Sequence, residues 1–189
     1  MAYSKPTTIT DPQVMRAMAH PARIEIMEHL SSTGTAVTAT EMAGQVGLSP
    51  SATSYHLREL AKFGLVEQAP SRGDARERVW RSSSASWSLE ADASEPEGRA
   101  AEEALVDAYL ARGFARLHEW FTRQHDEPKS WRDASVLSWQ IVLLTAEELR
   151  AVDAAVRDVL EPYQRRNRMG NAPPGARTVA AQWAAHPID

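Results

Sequence analysis

The stretch that most constrains this chain runs from Thr38 to Val66, "TATEMAGQVGLSPSATSYHLRELAKFGLV". It holds two helix starts with one helix stop between them. Thr38 followed three residues later by Glu41 is a capping box, with Met42, Ala43 and Val46 on the apolar side of the helix it opens. Gly47 stands where a left-handed residue ends a helix. Ser49 and Pro50 are the cap and first position of the next one. Only Gly47 and Leu48 separate the two helices, the spacing of a helix-turn-helix. Gly64 closes the second helix.

The flanks extend the pattern. Asp11 and Pro12 open a helix over "TDPQVMRAMAH". His20-Pro21 ends it, because a residue before proline is pushed out of helical geometry. Pro21 opens "PARIEIMEHLSS", with Ile24, Met27 and Leu30, or Ile26 and Leu30, on its buried side, and Gly34 stops it. After Gly64, "LVEQAP" and "RERVWRSS" flank the turn-forming "SRGDA", so a β-hairpin is expected. Helices, a two-residue turn, a helix and then a hairpin are the element order of a winged helix.

The expected organisation is a winged helix-turn-helix domain over residues 10–85, a linker over 86–96, a long helix within 97–126 and an accessory strand-helix region over 127–189. The fold class is therefore mainly α with a small β-hairpin wing, a long helix and an α+β C-terminal extension. The long helix carries the stripe Leu105/Val106, Tyr109/Leu110, Phe114, Leu117, Trp120/Phe121 and needs a partner to bury it. With the first helix it is expected to form a dimer interface. "ASVLSWQIVLL" is β-branched and aliphatic and is expected as a strand over Ser135–Leu144. Thr145 and Glu148 form a second capping box for the helix that follows. From Asn167 the tail is rich in Gly and Pro and is expected to be irregular, with a short docking turn at "AAQWAAHP".

Composition narrows the chemistry. The chain has no Cys, which removes disulfides, thiolate metal sites and thiol catalysis. No apolar run reaches the length of a membrane span and the N-terminus lacks an apolar signal core, so a cytoplasmic protein is expected. There is no nucleophile elbow, phosphate loop or zinc-protease His pair, and no catalytic residues or cofactors are assigned. The net charge of −4 argues against nucleic acid at first sight, but it is uneven. Residues 1–85 carry nine Lys/Arg against eight Asp/Glu, and residues 86–189 carry twelve against seventeen. A mild basic focus can neutralise phosphates locally.

The helix from Pro50 to Phe63 is the candidate reader of DNA. Thr53, Leu57 and Leu60 form its inward face, with Ala52, His56 and Ala61 beside them. Ser51, Ser54, Tyr55 and Arg58 face outward. Short hydroxyls allow close approach to a major groove, and Arg58 can form a fork to guanine or phosphate. Ser49 and Pro50 sit at the helix start that approaches the groove. In the wing, 70–78, Arg72, Arg76 and Arg78 are candidates for the DNA backbone or minor groove, although Asp74 and Glu77 could pair with them. His56 is read as structural, bonding a backbone carbonyl, and His20 as filling an inter-helix turn. Trp120, Trp131 and Trp139 are read first as core of the accessory region and, as the alternative, as the lining of an apolar ligand pocket.

These residues resemble the ArsR-type, or arsenical-repressor-like, winged helix-turn-helix family of bacterial transcription regulators. The matching pieces are Ala19-His20-Pro21-Ala22-Arg23, the Ser49-x-Ser51-x-x-Ser54-x-His56-Leu57-x-x-Leu60 helix, Gly64-Leu65-Val66 and the Arg/Gly wing. They cover roughly residues 10–85. The resemblance implies a homodimer that binds a palindromic double-stranded DNA operator, represses, and releases DNA when a small-molecule effector binds. The family's metal sensors carry a Cys pair on the helix before the DNA-reading one; here that helix reads "TATEMAGQV". His118 and His125, seven apart, do not have the spacing of the family's other ligand pairs, so no metal is expected. The competing reading is a protein-interaction module that uses the winged helix as a scaffold.

Overall fold

The computed structural model describes residues 7–72, 77–92 and 94–188. A short strand β1 (Thr7–Ile9) leads into α1 (Pro12–Met18). Asp11 caps α1 by accepting the Gln13 amide at 2.7 Å. The next helix, α2 (Pro21–Thr33), is capped by the His20 ring, whose Nδ1 accepts the Ala22 amide at 3.2 Å. His20 thus fills the inter-helix turn. Gly34 ends α2 with φ of 66°, a left-handed geometry that glycine adopts without a Cβ clash.

Strand β2 (Val37–Thr38) runs directly into α3 (Ala39–Val46), and α4 (Pro50–Lys62) follows across Gly47. The capping box of α3 is complete. Thr38 N donates to Glu41 Oε2 at 2.7 Å, and Glu41 N donates to Thr38 Oγ1 at 3.1 Å. Ser49 Oγ accepts the Ala52 amide at the start of α4. The hairpin comprises β3 (Val66–Ala69) and β4 (Val79–Ser82), antiparallel, with Val66 opposite Ser82 and Ala69 opposite Val79. β2 pairs with the other edge of β4, giving the sheet order β2-β4-β3.

The core lies where α1, α2, α3 and α4 meet the sheet. Met15, Met18, Ile24, Ile26, Met27, Leu30, Met42, Leu57, Leu60 and Leu65 are all buried there. Both expected apolar sets of α2 are therefore inside, because this helix is covered from two sides. The long helix α5 (Pro96–Arg123) joins this core through Ala101 and Leu105. Ion pairs hold it in place: Arg16 with Glu97 at 2.5 Å, Arg112 with Glu25 and Glu28, and Arg116 with Glu28 at 2.6 Å. Beyond it lie α6 (Lys129–Ala134), α7 (Ala146–Leu160) and α8 (Arg165–Arg168).

Three expectations are corrected. The segment 86–96 is not only a linker: Trp87–Leu89 forms β5, which pairs in parallel with β1, Thr7 opposite Trp87 and Ile9 opposite Leu89. The N-terminal segment supplies its edge, which no local pattern announces. The strand expected over Ser135–Leu144 is not formed. The segment is without regular structure and exposed, and among the described residues it has no strand beside it. Strand propensity is realised only against a partner edge. The extension in this single chain is thus helices joined by open chain. The tail beyond α8 is irregular, and "AAQWAAHP" is open chain rather than a turn. Among the described residues no helix is long and apolar enough to cross a membrane.

Candidate nucleic-acid interface

Helix α4 is divided sharply between two faces. Thr53, Leu57 and Leu60 are fully buried and His56 is 9% exposed. Ser51, Tyr55 and Arg58 are exposed and Ser54 is half-buried. The buried threonine also ties itself to the helix start, Thr53 Oγ1 donating to Ser49 O at 3.0 Å. Ser49 and Pro50 are exposed at that start. The Ser49 hydroxyl is engaged twice, accepting from Ala52 N and lying 3.1 Å from Ser51 Oγ. Its first task is therefore capping, and only its remaining hydrogen-bonding capacity faces outward.

Arg58 folds back along its own helix, with Nε donating to Ser54 O at 3.2 Å. Such an exposed bond is easily exchanged for a stronger one to an anion. Tyr55 is 49% exposed, its ring standing edge-on to His56 at 5.4 Å. His56 is a structural residue, but its partner differs from expectation. Arg23 Nε donates to His56 Nδ1 at 3.5 Å, and the His20 ring packs against it at 4.6 Å between centroids. Burial, with His20 and Arg23 nearby, holds the His56 pKa below its ordinary value. A cation or second imidazole beside a buried ring disfavours its charged form.

In the wing, Arg72 and Arg78 are exposed; Arg76 lies outside the described residues. Arg72 Nη1 reaches Glu41 at 3.2 Å and so links the wing to the capping box of α3. Glu41 is thereby shared between two tasks. The Thr38 amide first, and Arg72 after it, hold its carboxyl below the usual range. This acidic partner, 31 residues away in sequence, is one that sequence reasoning did not supply. Two further pairs balance the charge nearby, Lys62 with Glu59 at 2.5 Å and Arg81 with Glu67 at 2.6 Å.

The three tryptophans are not brought to one cavity. Trp120 and Trp131 are half-buried, with Arg123 and Arg177 respectively over their rings. Trp139 is 81% exposed. Of the two surface hollows described, one lies between α2 and α5 and the other beside β1 and Phe63; neither is lined by any of the three. Among the described residues no group of three or more His, Asp or Glu side chains is placed to hold a metal.

Residues 18–69 match a protein family described as "Helix-turn-helix domain". No protein of curated function matches the chain. Solved structures do. NolR from Sinorhizobium fredii is 35% identical over 38% of this chain and 67% of its own, with a TM-score of 0.33. A possible transcriptional regulator for arsenical resistance is 27% identical over 57% of this chain and 94% of its own, also at 0.33. HlyU from Vibrio cholerae is 26% identical over 52% and 89%, again at 0.33. The matched domain spans α2, α3, α4 and β3, and the wing completes it with β4. On that domain, its motif sequence and its wing, the chain belongs to the ArsR-type winged helix-turn-helix proteins, a family of DNA-binding transcription regulators.

Proposed function

We propose that this protein is a homodimeric repressor that reads a palindromic operator with α4 and the wing. One observation carries the reading. Helix α4 is locked by its cap and by a fully packed inner face, while its outer face presents short hydroxyls, a tyrosine and an arginine. A rigid helix with a small polar outer face fits a major groove, where base edges differ from pair to pair.

The roles follow from chemistry. Ser51 and Ser54 offer hydroxyls that donate or accept. Tyr55 reaches a phosphate or packs on a thymine methyl. Arg58 leaves the Ser54 carbonyl and forms a two-bond fork to guanine O6 and N7, or to a phosphate. Arg72, Arg76 and Arg78 hold the flanking backbone. Val106, Leu110 and Phe114 on the open side of α5 are exposed. Burying that stripe against a second copy, with α1 beside it, sets two α4 helices about one DNA turn apart. An apolar effector near Trp120 and Trp131, at the end of α5, would act by changing that separation.

Selection of bound duplexes from a random library tests this reading. Enrichment of a two-fold-symmetric site is the expected result. No enrichment by a folded dimer at low salt would favour the scaffold reading, to which the pairing of Arg72, Lys62 and Arg81 with carboxylates lends some support.

A further inference from the structure

Of the exposed large apolar side chains in the described residues, seven fall between Val136 and Leu144. Leu143 is 99% exposed. Leu137, Trp139, Ile141 and Leu143 alternate with Val136, Ser138, Gln140 and Val142, so an extended chain has one wholly apolar face. Among the described residues no backbone hydrogen bond joins this segment to any other. It has the pattern of a half-buried strand and lacks both the ladder and the burial.

A second open segment follows α8. Arg177 is moored to Glu127, Nη1 to Oε2 at 2.6 Å, and its guanidinium lies over Trp131. Farther along, the Gln182 amide rests against Gly113 of α5, where any Cβ would collide with it. Gln182 is therefore held against α5, yet Val179 and Trp183 beside it remain exposed and no strand among the described residues pairs with them. Between the two segments, α7 is capped at its N-terminus by Thr145 and Glu148 and turns Leu149, Val152 and Val156 to one side without burying any of them completely. Strand-patterned chain, amphipathic helix and strand-patterned chain are present, and their apolar sides are incompletely covered.

We propose that residues 136–144 are an exchange arm that becomes a β-strand only on a second copy of this chain, pairing along residues 178–185 of that copy. The inference rests on the homodimer reading above and adds to it. Each copy has one arm without an edge and one moored segment without a neighbour, so a two-fold dimer satisfies both pairs at once and closes. Neither 136–144 nor 178–185 carries a charged residue, so the two match each other and give a charged partner nothing to pair with. The moored segment crosses α5 at Gly113, next to Phe114 of the stripe that the two copies are to share. The added arm extends that stripe toward the area of roughly 800 Å² per partner that stable interfaces bury.

Hydrogen exchange on the full-length protein, read with light scattering on the same samples, tests the arm. Amides of 136–144 are expected to be protected in the dimer and to lose protection on dilution to monomer. A dimer with an unprotected arm overturns the exchange and leaves the dimer standing. Protection that persists in the monomer overturns it in favour of pairing within one chain, and a monomer at all concentrations overturns both readings. The absence of native Cys allows a second experiment that needs no dissociation. Copies carrying Ile141→Cys are mixed with copies carrying Ala181→Cys and treated with a short bis-maleimide. Covalent dimers from the mixture, several-fold above either variant alone, are expected. Covalent dimers no more abundant in the mixture than in either variant alone would contradict the exchange.

Discussion

Arg23 Nε donates to His56 Nδ1 at 3.5 Å, and the same guanidinium donates through Nη1 to Ala17 O at 2.8 Å. One side chain of α2 thus joins the end of α1 to the inner face of α4. It fixes the direction in which the outer face of α4 points. The bond requires His56 Nδ1 to be an acceptor, so the ring must be neutral at that nitrogen.

That requirement gives a pH dependence with a definite sign. The His56 pKa is lowered in the fold, mainly by burial, from an ordinary value of 6.5. His29 is lowered too, by burial and by Arg165. Above pH 6.5 both rings are neutral in folded and unfolded chains alike, and the stability is fully present. As pH falls below 6.5 the unfolded chain binds protons that the folded chain refuses, so stability declines toward the folded pKa. Urea midpoints measured from pH 8 to pH 5 are expected to fall below 6.5, and less steeply in His56→Gln. An identical slope in that variant would show that His56 is not a source of the decline.

The pair of Arg72 with Glu41 makes a cleaner test than removing either residue. Glutamine serves at the third position of a capping box as glutamate does. Glu41→Gln should therefore keep α3 capped and release Arg72 for phosphate. Tighter DNA binding and a steeper salt dependence are expected. Arg72→Ala should lessen the slope of log affinity against log salt by about 0.9. If neither slope moves in a titration from 50 to 200 mM salt (about the range where such slopes are read), Arg72 does not touch DNA.

Phe114 and Leu105 separate the two sides of α5. Leu105 is fully buried in the core and Phe114 is 62% exposed. Leu105→Ala should cost about 2–5 kcal/mol of folding stability through lost burial and a cavity. Phe114→Asp should leave the monomer folded and weaken self-association, as sedimentation would show. A variant that unfolds would place Phe114 inside the protomer instead.

Much of the helix-turn-helix was legible because its signals are local. Thr38 with Glu41, Gly47, and Ser49 with Pro50 each act within three residues, and each holds in the structure. The inner face of α4 followed from its helical spacing. Contacts made at long range were not legible. Trp87–Leu89 finds its edge at Thr7–Ile9, and Arg72 finds Glu41, through folding that no window of sequence contains. His56 was readable as structural from its place beside Leu57, but Arg23 could not be identified as its partner. Ser135–Leu144 has strand chemistry, and a strand also needs an edge, which its own chain does not provide here.

Arg58 decides whether α4 reads DNA, since its outward position can reach a base only if that helix enters the groove. Replacement by alanine should weaken binding to the selected operator by about 1–3 kcal/mol if the contact is a base fork. The deciding measurement is selection from a random duplex library with wild type and Arg58→Ala side by side. The same half-site spacing is expected from both, with sequence preference lost at one base pair of each half-site in the variant. An unchanged motif and affinity would contradict base reading by Arg58 and remove it from the site.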